Sequence, residues 1–252
     1  MKRICLCLLF ILTLVSCKKQ NDQIIQDKEL STYNIIILDR SGSMWPIQQE
    51  TVSGVDSIIQ DIKLQCSDSC QQIITLMSFS SKGNIYHSLH CSADSMPLFT
   101  KNDYTPDGTT PLFDAIGETC KKAEVYVDSM DYDIVSVSII TDGLENSSCT
   151  YSEASIQTMI ARLSEKGWLF AYIGAGHNVE DVANTLGIKN YMTFTKDSDG
   201  TKDMIERNRT SRYNYYKKME RSINEERKRK GRELTNDEKV TLRKRQSAEY
   251  YE

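Results

Sequence analysis

The run Ile35-Ile36-Ile37-Leu38, closed by Asp39 and followed by Arg40-Ser41-Gly42-Ser43, constrains the fold more than any other stretch. Four consecutive large aliphatics without polar alternation read as a central parallel strand covered on both faces. The Ser and Gly that follow read as the turn leaving its carboxyl end, where open α/β sheets bind their ligands. Asp39 gives a carboxylate, and Ser41 and Ser43 give hydroxyls at alternate positions, so a curled loop aims three hard oxygens at one point while Gly42 permits tight backbone geometry. The loop contains no thiol or imidazole, and an oxygen-only site favours Mg²⁺, Mn²⁺ or Ca²⁺ over zinc or copper.

Two later segments extend the pattern. Asp107-Gly108-Thr109-Thr110-Pro111-Leu112 reads as a polar turn opening a helix, and Ser138-Ile139-Ile140-Thr141-Asp142-Gly143 as a second apolar strand with a carboxylate at its tip. D-x-S-x-S, then G-x-T, then T-D-G resembles the von Willebrand factor A family and matches its metal-ion-dependent adhesion site. The resemblance implies that Asp39, Ser41, Ser43, Thr110 and Asp142 hold a divalent cation, Mg²⁺ before Mn²⁺ or Ca²⁺, some of them through water. Thr109 competes with Thr110, but the family spacing from Gly108 fits Thr110 better. It also implies a doubly wound, mostly parallel α/β sheet flanked by helices, and a protein ligand whose carboxylate completes the metal's coordination.

The hydrophobic periodicity agrees with that architecture. Val52, Val55, Ile59 and Ile62 mark a helix with one apolar face, Gln71 to Ser80 reads as a strand, and Asn84 to His90 as its hairpin partner. Leu112 to Val127 reads as a helix, Ile134 to Thr141 as a strand, Ile156 to Leu163 as a helix and Trp168 to Ile173 as a strand. A helix around Val179 to Leu186, a strand from Tyr191 to Thr195 and a closing helix from Met204 to about Met219 complete a domain assigned to residues 31–213.

Residues 1–16 carry Lys2 and Arg3 before an apolar core too short to span a bilayer, the form of a secretory signal. The ending Leu14-Val15-Ser16-Cys17 resembles a bacterial lipobox, with Cys17 as the lipidated first residue and 17–30 as a tether. The expected location is the bacterial cell envelope, anchored to a membrane by acyl chains.

Five cysteines remain in the folded part: Cys66, Cys70, Cys91, Cys120 and Cys149. Export permits disulfides, and a bridge within Cys66-Ser-Asp-Ser-Cys70, or from either of these to Cys91, is expected. Gly174-Ala175-Gly176 reads as a strand-to-helix turn, since neither a third fingerprint Gly nor a Walker lysine follows it. His87 and His90 fall on opposite strand faces, so they do not share a metal, and His177 stands alone.

Charge divides the chain: residues 18–199 hold about 13 Lys/Arg against 25 Asp/Glu, and 200–252 about 16 against 10. Residues 214–252 therefore read as a basic, charged tail, solvated as a helix or disordered, with a capping box at Thr235 to Glu238. Export argues against nucleic acid as its partner. No general base, nucleophile pair or phosphate loop accompanies the metal motif, so the function expected is binding rather than catalysis. A metal-dependent hydrolase, or an envelope scaffold acting through the tail, are the alternatives.

Overall fold

The computed structural model describes residues 25–65, 70–81, 87–176, 178–248 and 250–251. The expected signal 1–16, Cys17, Cys66 and His177 lie outside the described residues. The elements in chain order are β1 (Thr32–Asp39), α1 (Gln48–Leu64), β2 (Gln72–Phe79), β3 (His87–Ser92), α2 (Leu112–Ser129), β4 (Ile134–Thr141), α3 (Glu153–Glu165), β5 (Leu169–Gly174), α4 (Val179–Thr185), β6 (Asn190–Thr193), α5 (Ser198–Lys230) and α6 (Asn236–Ser247).

The six strands pair in the order β3-β2-β1-β4-β5-β6. Every pairing is parallel except β2 with β3. Strand β1 is central and all eight of its residues are buried. Its side chains alternate: Tyr33, Ile35 and Ile37 join the core beneath α2, α3 and α4, while Ile36 and Leu38 join the core that includes α1 residues and Met204 of α5. From β1 the chain crosses to β2 on one side and later returns to β4 on the other. Asp39 and Asp142 therefore stand at the carboxyl ends of neighbouring strands where the winding reverses.

The carboxyl-terminal segment departs from expectation. Helix α5 runs without a break past residue 213 to Lys230 and stops at Gly231, whose φ of 66° is the left-handed conformation that favours glycine. A Thr235 to Glu238 capping box then starts α6. The segment is packed, not solvated: Ile223, Leu234, Leu242 and Tyr250 are buried with Leu30, Ile134 and Leu169 against the amino-terminal edge of the sheet. Residues expected in the tether dock there too, with Leu30 fully buried and Asn224 bonded to both the backbone N–H and C=O of Lys28 at 3.0 Å.

Buried charge fixes this packing. Asp133, fully buried before β4, pairs with Lys239 of α6 at 2.9 Å and with Lys28 at 3.0 Å, and accepts a bond from the Ser31 N–H at 3.0 Å. Burial alone would raise its carboxyl, but Lys239 and Lys28 outweigh that and hold it below the usual range. Its contribution to stability is complete above the unfolded-chain value of about 3.9 and is lost as pH falls from there through the lower folded value. Outside this cluster, much of the tail's basic charge is taken up by acidic neighbours: Arg227 by Glu233, Arg229 by Glu226, Arg232 by Glu238 and Lys244 by Glu165.

Asp133→Ala is expected to lower urea-unfolding stability by about 3 kcal/mol, because it leaves the Lys239 ammonium buried beside only the exposed Asp131. The double variant with Lys239→Met is expected to recover part of the loss; strictly additive losses would show that the two groups do not depend on each other.

Candidate metal centre

The backbone around the first motif is held from several sides. The Ser41 N–H donates to Asp39 Oδ1 at 2.7 Å, curling the turn back over its own carboxylate. The Gly42 N–H donates to the Gly108 carbonyl at 3.0 Å and the Asp107 N–H to the Arg40 carbonyl at 2.9 Å, which joins this turn to the one that carries Thr110. Gly108 has a φ of 80°, so a side chain there would be strained. The buried Tyr104 hydroxyl donates to the Asp39 carbonyl at 2.6 Å.

Four of the five expected ligands lie in a chain of contacts. Asp39 Oδ2 accepts from the Thr141 hydroxyl at 2.6 Å, Ser41 Oγ and Ser43 Oγ are 3.0 Å apart, and Ser43 Oγ donates to Asp142 Oδ1 at 2.6 Å. Thr110 completes the group. A β-carbon placed on Gly143 would lie 3.2 Å from Thr110 Oγ1 and 3.8 Å from both Asp39 Oδ2 and Ser43 Oγ, so oxygens from two separate segments face one small space that a side chain at 143 would crowd. Thr109 points elsewhere: it is exposed and its hydroxyl donates to Ser147 Oγ at 2.7 Å.

The electrostatics of this space are unbalanced. Asp39 is fully buried, and burial, with the Asp142 charge adding, pushes its carboxyl up to about 6 against the opposing bonds from Thr141 and Ser41. The remaining Asp142 oxygen, Oδ2, is buried without a hydrogen-bond partner. Lys196, between β6 and α5, forms an ion pair with that oxygen. Neither Lys196 nor the bond from Thr141 to Asp39 was anticipated from sequence. The T of T-D-G signalled Thr141, but Lys196 is one lysine in a polar turn.

The donor set is two carboxylates and three hydroxyls, which suits a hard divalent cation and neutralises its charge without excess. Among the described residues no group of three or more His, Cys, Asp or Glu could hold a metal. A metal here would therefore depend on hydroxyl ligands. A divalent ion would add positive charge to a space where two carboxylates otherwise meet the single ammonium of Lys196.

Other residues singled out in the sequence have different surroundings. His90 Nδ1 lies 2.9 Å from Thr75 Oγ1 and its ring stacks on Tyr126 at 4.2 Å, on the edge of the sheet beside β2. Cys70 is disulfide-bonded, whereas Cys91, Cys120 and Cys149 are free thiols, so no bridge reaches Cys91.

No family model and no curated protein matches the sequence. Solved structures do. A point mutant of the PilB minor pilin from Streptococcus sanguinis is similar with a TM-score of 0.53 and 14% identity, over 77% of this chain and 64% of the pilin. The VWA domain of SpRpn10 has a TM-score of 0.49 and 12% identity, over 70% of this chain and 94% of that one. The vWF domain of the type V pili tip protein Mfa5 from Porphyromonas gingivalis has a TM-score of 0.48 and 9% identity, over 71% and 95%. At these identities the likeness concerns the fold alone, a mostly parallel α/β sheet flanked by helices.

Asp39 has a pH signature. Its folded value of about 6 exceeds the unfolded value of about 3.9, so its contribution to stability is complete below about pH 4 and is lost as pH rises through about 6. Over roughly 2 units that is about 3 kcal/mol. In metal-free urea unfolding, wild type is expected to lose stability relative to Asp39→Asn across this range, leaving Asp39→Asn the more stable at about pH 7.5. A pH-independent difference would show that the carboxylate is not held in a dry site.

Proposed function

We propose that this chain is a metal-dependent binding module. Asp39, Ser41, Ser43, Thr110 and Asp142 hold a divalent cation, Mg²⁺ first, and a carboxylate from a protein partner completes its coordination. The observation that carries this reading is the convergence of Thr110 Oγ1, Asp39 Oδ2 and Ser43 Oγ on the space beside Gly143, next to an Asp142 oxygen that is ion-paired with Lys196. Trp45 and Leu144, which follow the two aspartate-bearing turns, are 57% and 54% exposed and offer apolar contact area around the cation. Similarity to a minor pilin supports a role in protein contacts at the cell surface. Anchoring through lipidated Cys17 in the bacterial envelope is part of the proposal. Among the described residues, no helix is long and apolar enough to cross a membrane.

Within this reading Lys196 is an internal competitor. Its ammonium compensates Asp142 when the divalent ion is absent, so the ion must displace or share that charge. The module acts by binding, not catalysis. Hydrolysis of a phosphate ester with Mg²⁺ or Mn²⁺, lost in Asp39→Ala, would overturn that.

Calorimetric titration of Mg²⁺, Mn²⁺ and Ca²⁺ into the chain from Lys18 onward is expected to show one saturable site, absent in Asp39→Ala. Lys196→Gln is expected to bind about tenfold more tightly, equivalent to about 1.4 kcal/mol. Absence of binding in a folded wild type and in Lys196→Gln alike would refute the metal centre. Equal affinity in these two would refute only the role of Lys196.

A further inference from the structure

At the end of the sheet opposite the metal motif, a cavity of about 20 Å³ lies between β1, β4, α5 and the carboxyl terminus, lined in part by Asn34, Ser136, Arg212, Tyr215 and Tyr250. Its chemistry is one-sided. Arg212 is 7% exposed and Tyr215 4% exposed. Arg212 Nη2 donates to Asn34 Oδ1 at 2.8 Å, an acceptor already used by the Ser136 hydroxyl at 3.2 Å. Arg212 also bonds to the Tyr250 hydroxyl. Its Nε–H has no partner, and neither has the Tyr215 hydroxyl.

Among the described residues, none of the side chains lining the cavity is a carboxylate and none forms an ion pair with Arg212. A buried guanidinium left without a counter-charge is costly, and each unpaired buried donor adds to that cost. Everything missing is of one kind: an acceptor, negatively charged, small enough for a space that admits about one water-sized body. A water molecule would accept from both donors but would leave the charge unopposed.

We propose that this cavity is a binding site for a monatomic anion, chloride, held by Arg212 Nε–H and the Tyr215 hydroxyl. The bound ion neutralises Arg212 and ties α5 to the base of the sheet. It sits where α5, Asn34 of β1 and Tyr250 meet, so it reinforces the docking of the carboxyl-terminal segment. Such a site is independent of the metal centre at the other end of the strands.

The test uses the full chain in EDTA, unfolded thermally in sodium chloride or sodium gluconate at equal ionic strength, with crystals grown in bromide. Wild type is expected to gain several degrees in chloride, saturably with concentration, as a ligand of the native state does. Tyr215→Phe and Arg212→Met are expected to lose the gain, and bromide is expected to give an anomalous peak in the cavity. If Arg212→Met fails to fold, Tyr215→Phe alone decides, since it removes one donor and little volume. Equal stability of wild type in both salts, or a water without bromide signal in the cavity, overturns the proposal.

Discussion

Two carboxylates held out of water at neighbouring strand ends set the terms for the rest of this molecule. Asp39 is fully buried and Asp142 nearly so, and burial together with the Asp142 charge raises the cost of charging Asp39. The local sequence is arranged to offset that cost. Thr141 and the Ser41 N–H donate to Asp39, Ser43 donates to Asp142, and Lys196 supplies a cation. These groups satisfy most of the oxygens and leave a space that Gly143 keeps open. A structure optimised for stability alone would place neutral or apolar residues there. Tolerated strain of this kind marks functional sites.

The opposite end of the sheet solves a similar problem with the signs reversed. There the buried groups are mainly cationic, and Lys239 and Lys28 converge on Asp133 while Arg212 meets Asn34 and Tyr250. Helix α5 connects the two ends, starting next to Lys196 and finishing beyond Arg227, whose guanidinium reaches the Gln26 carbonyl at 2.9 Å. The amino-terminal strap and the carboxyl-terminal helices therefore close the base of one domain.

The parts legible in the sequence were those governed by local pattern. Strands β1 and β4 are buried on both faces, so their apolar runs survive as unbroken signals, and the expected limits of β4 agree with the structure. The three motif segments brought the five oxygens together because each lies at an element boundary. Spacing from Gly108 favoured Thr110 over Thr109, and in the structure it is the Thr110 hydroxyl that turns inward while Thr109 bonds to Ser147. The tail misled for a physical reason. Lys239, Arg243 and Arg227 look like solvated charges, yet they are buried, and Lys239 finds its carboxylates at Asp131 and Asp133, which are over 100 residues away in sequence. Composition carries no information about such partners, and Lys196 escaped notice for the same reason.

The most direct measurement of the central claim is anomalous diffraction from crystals of the full chain grown with Mn²⁺. A divalent cation as the missing counter-charge predicts a single strong peak within coordinating distance of Asp39, Ser41, Ser43, Thr110 and Asp142, directly or through water, with Lys196 drawn away from Asp142 Oδ2. A well-ordered site with no peak and the Lys196 to Asp142 pair intact would contradict it, and would leave the lysine itself as the permanent counter-ion.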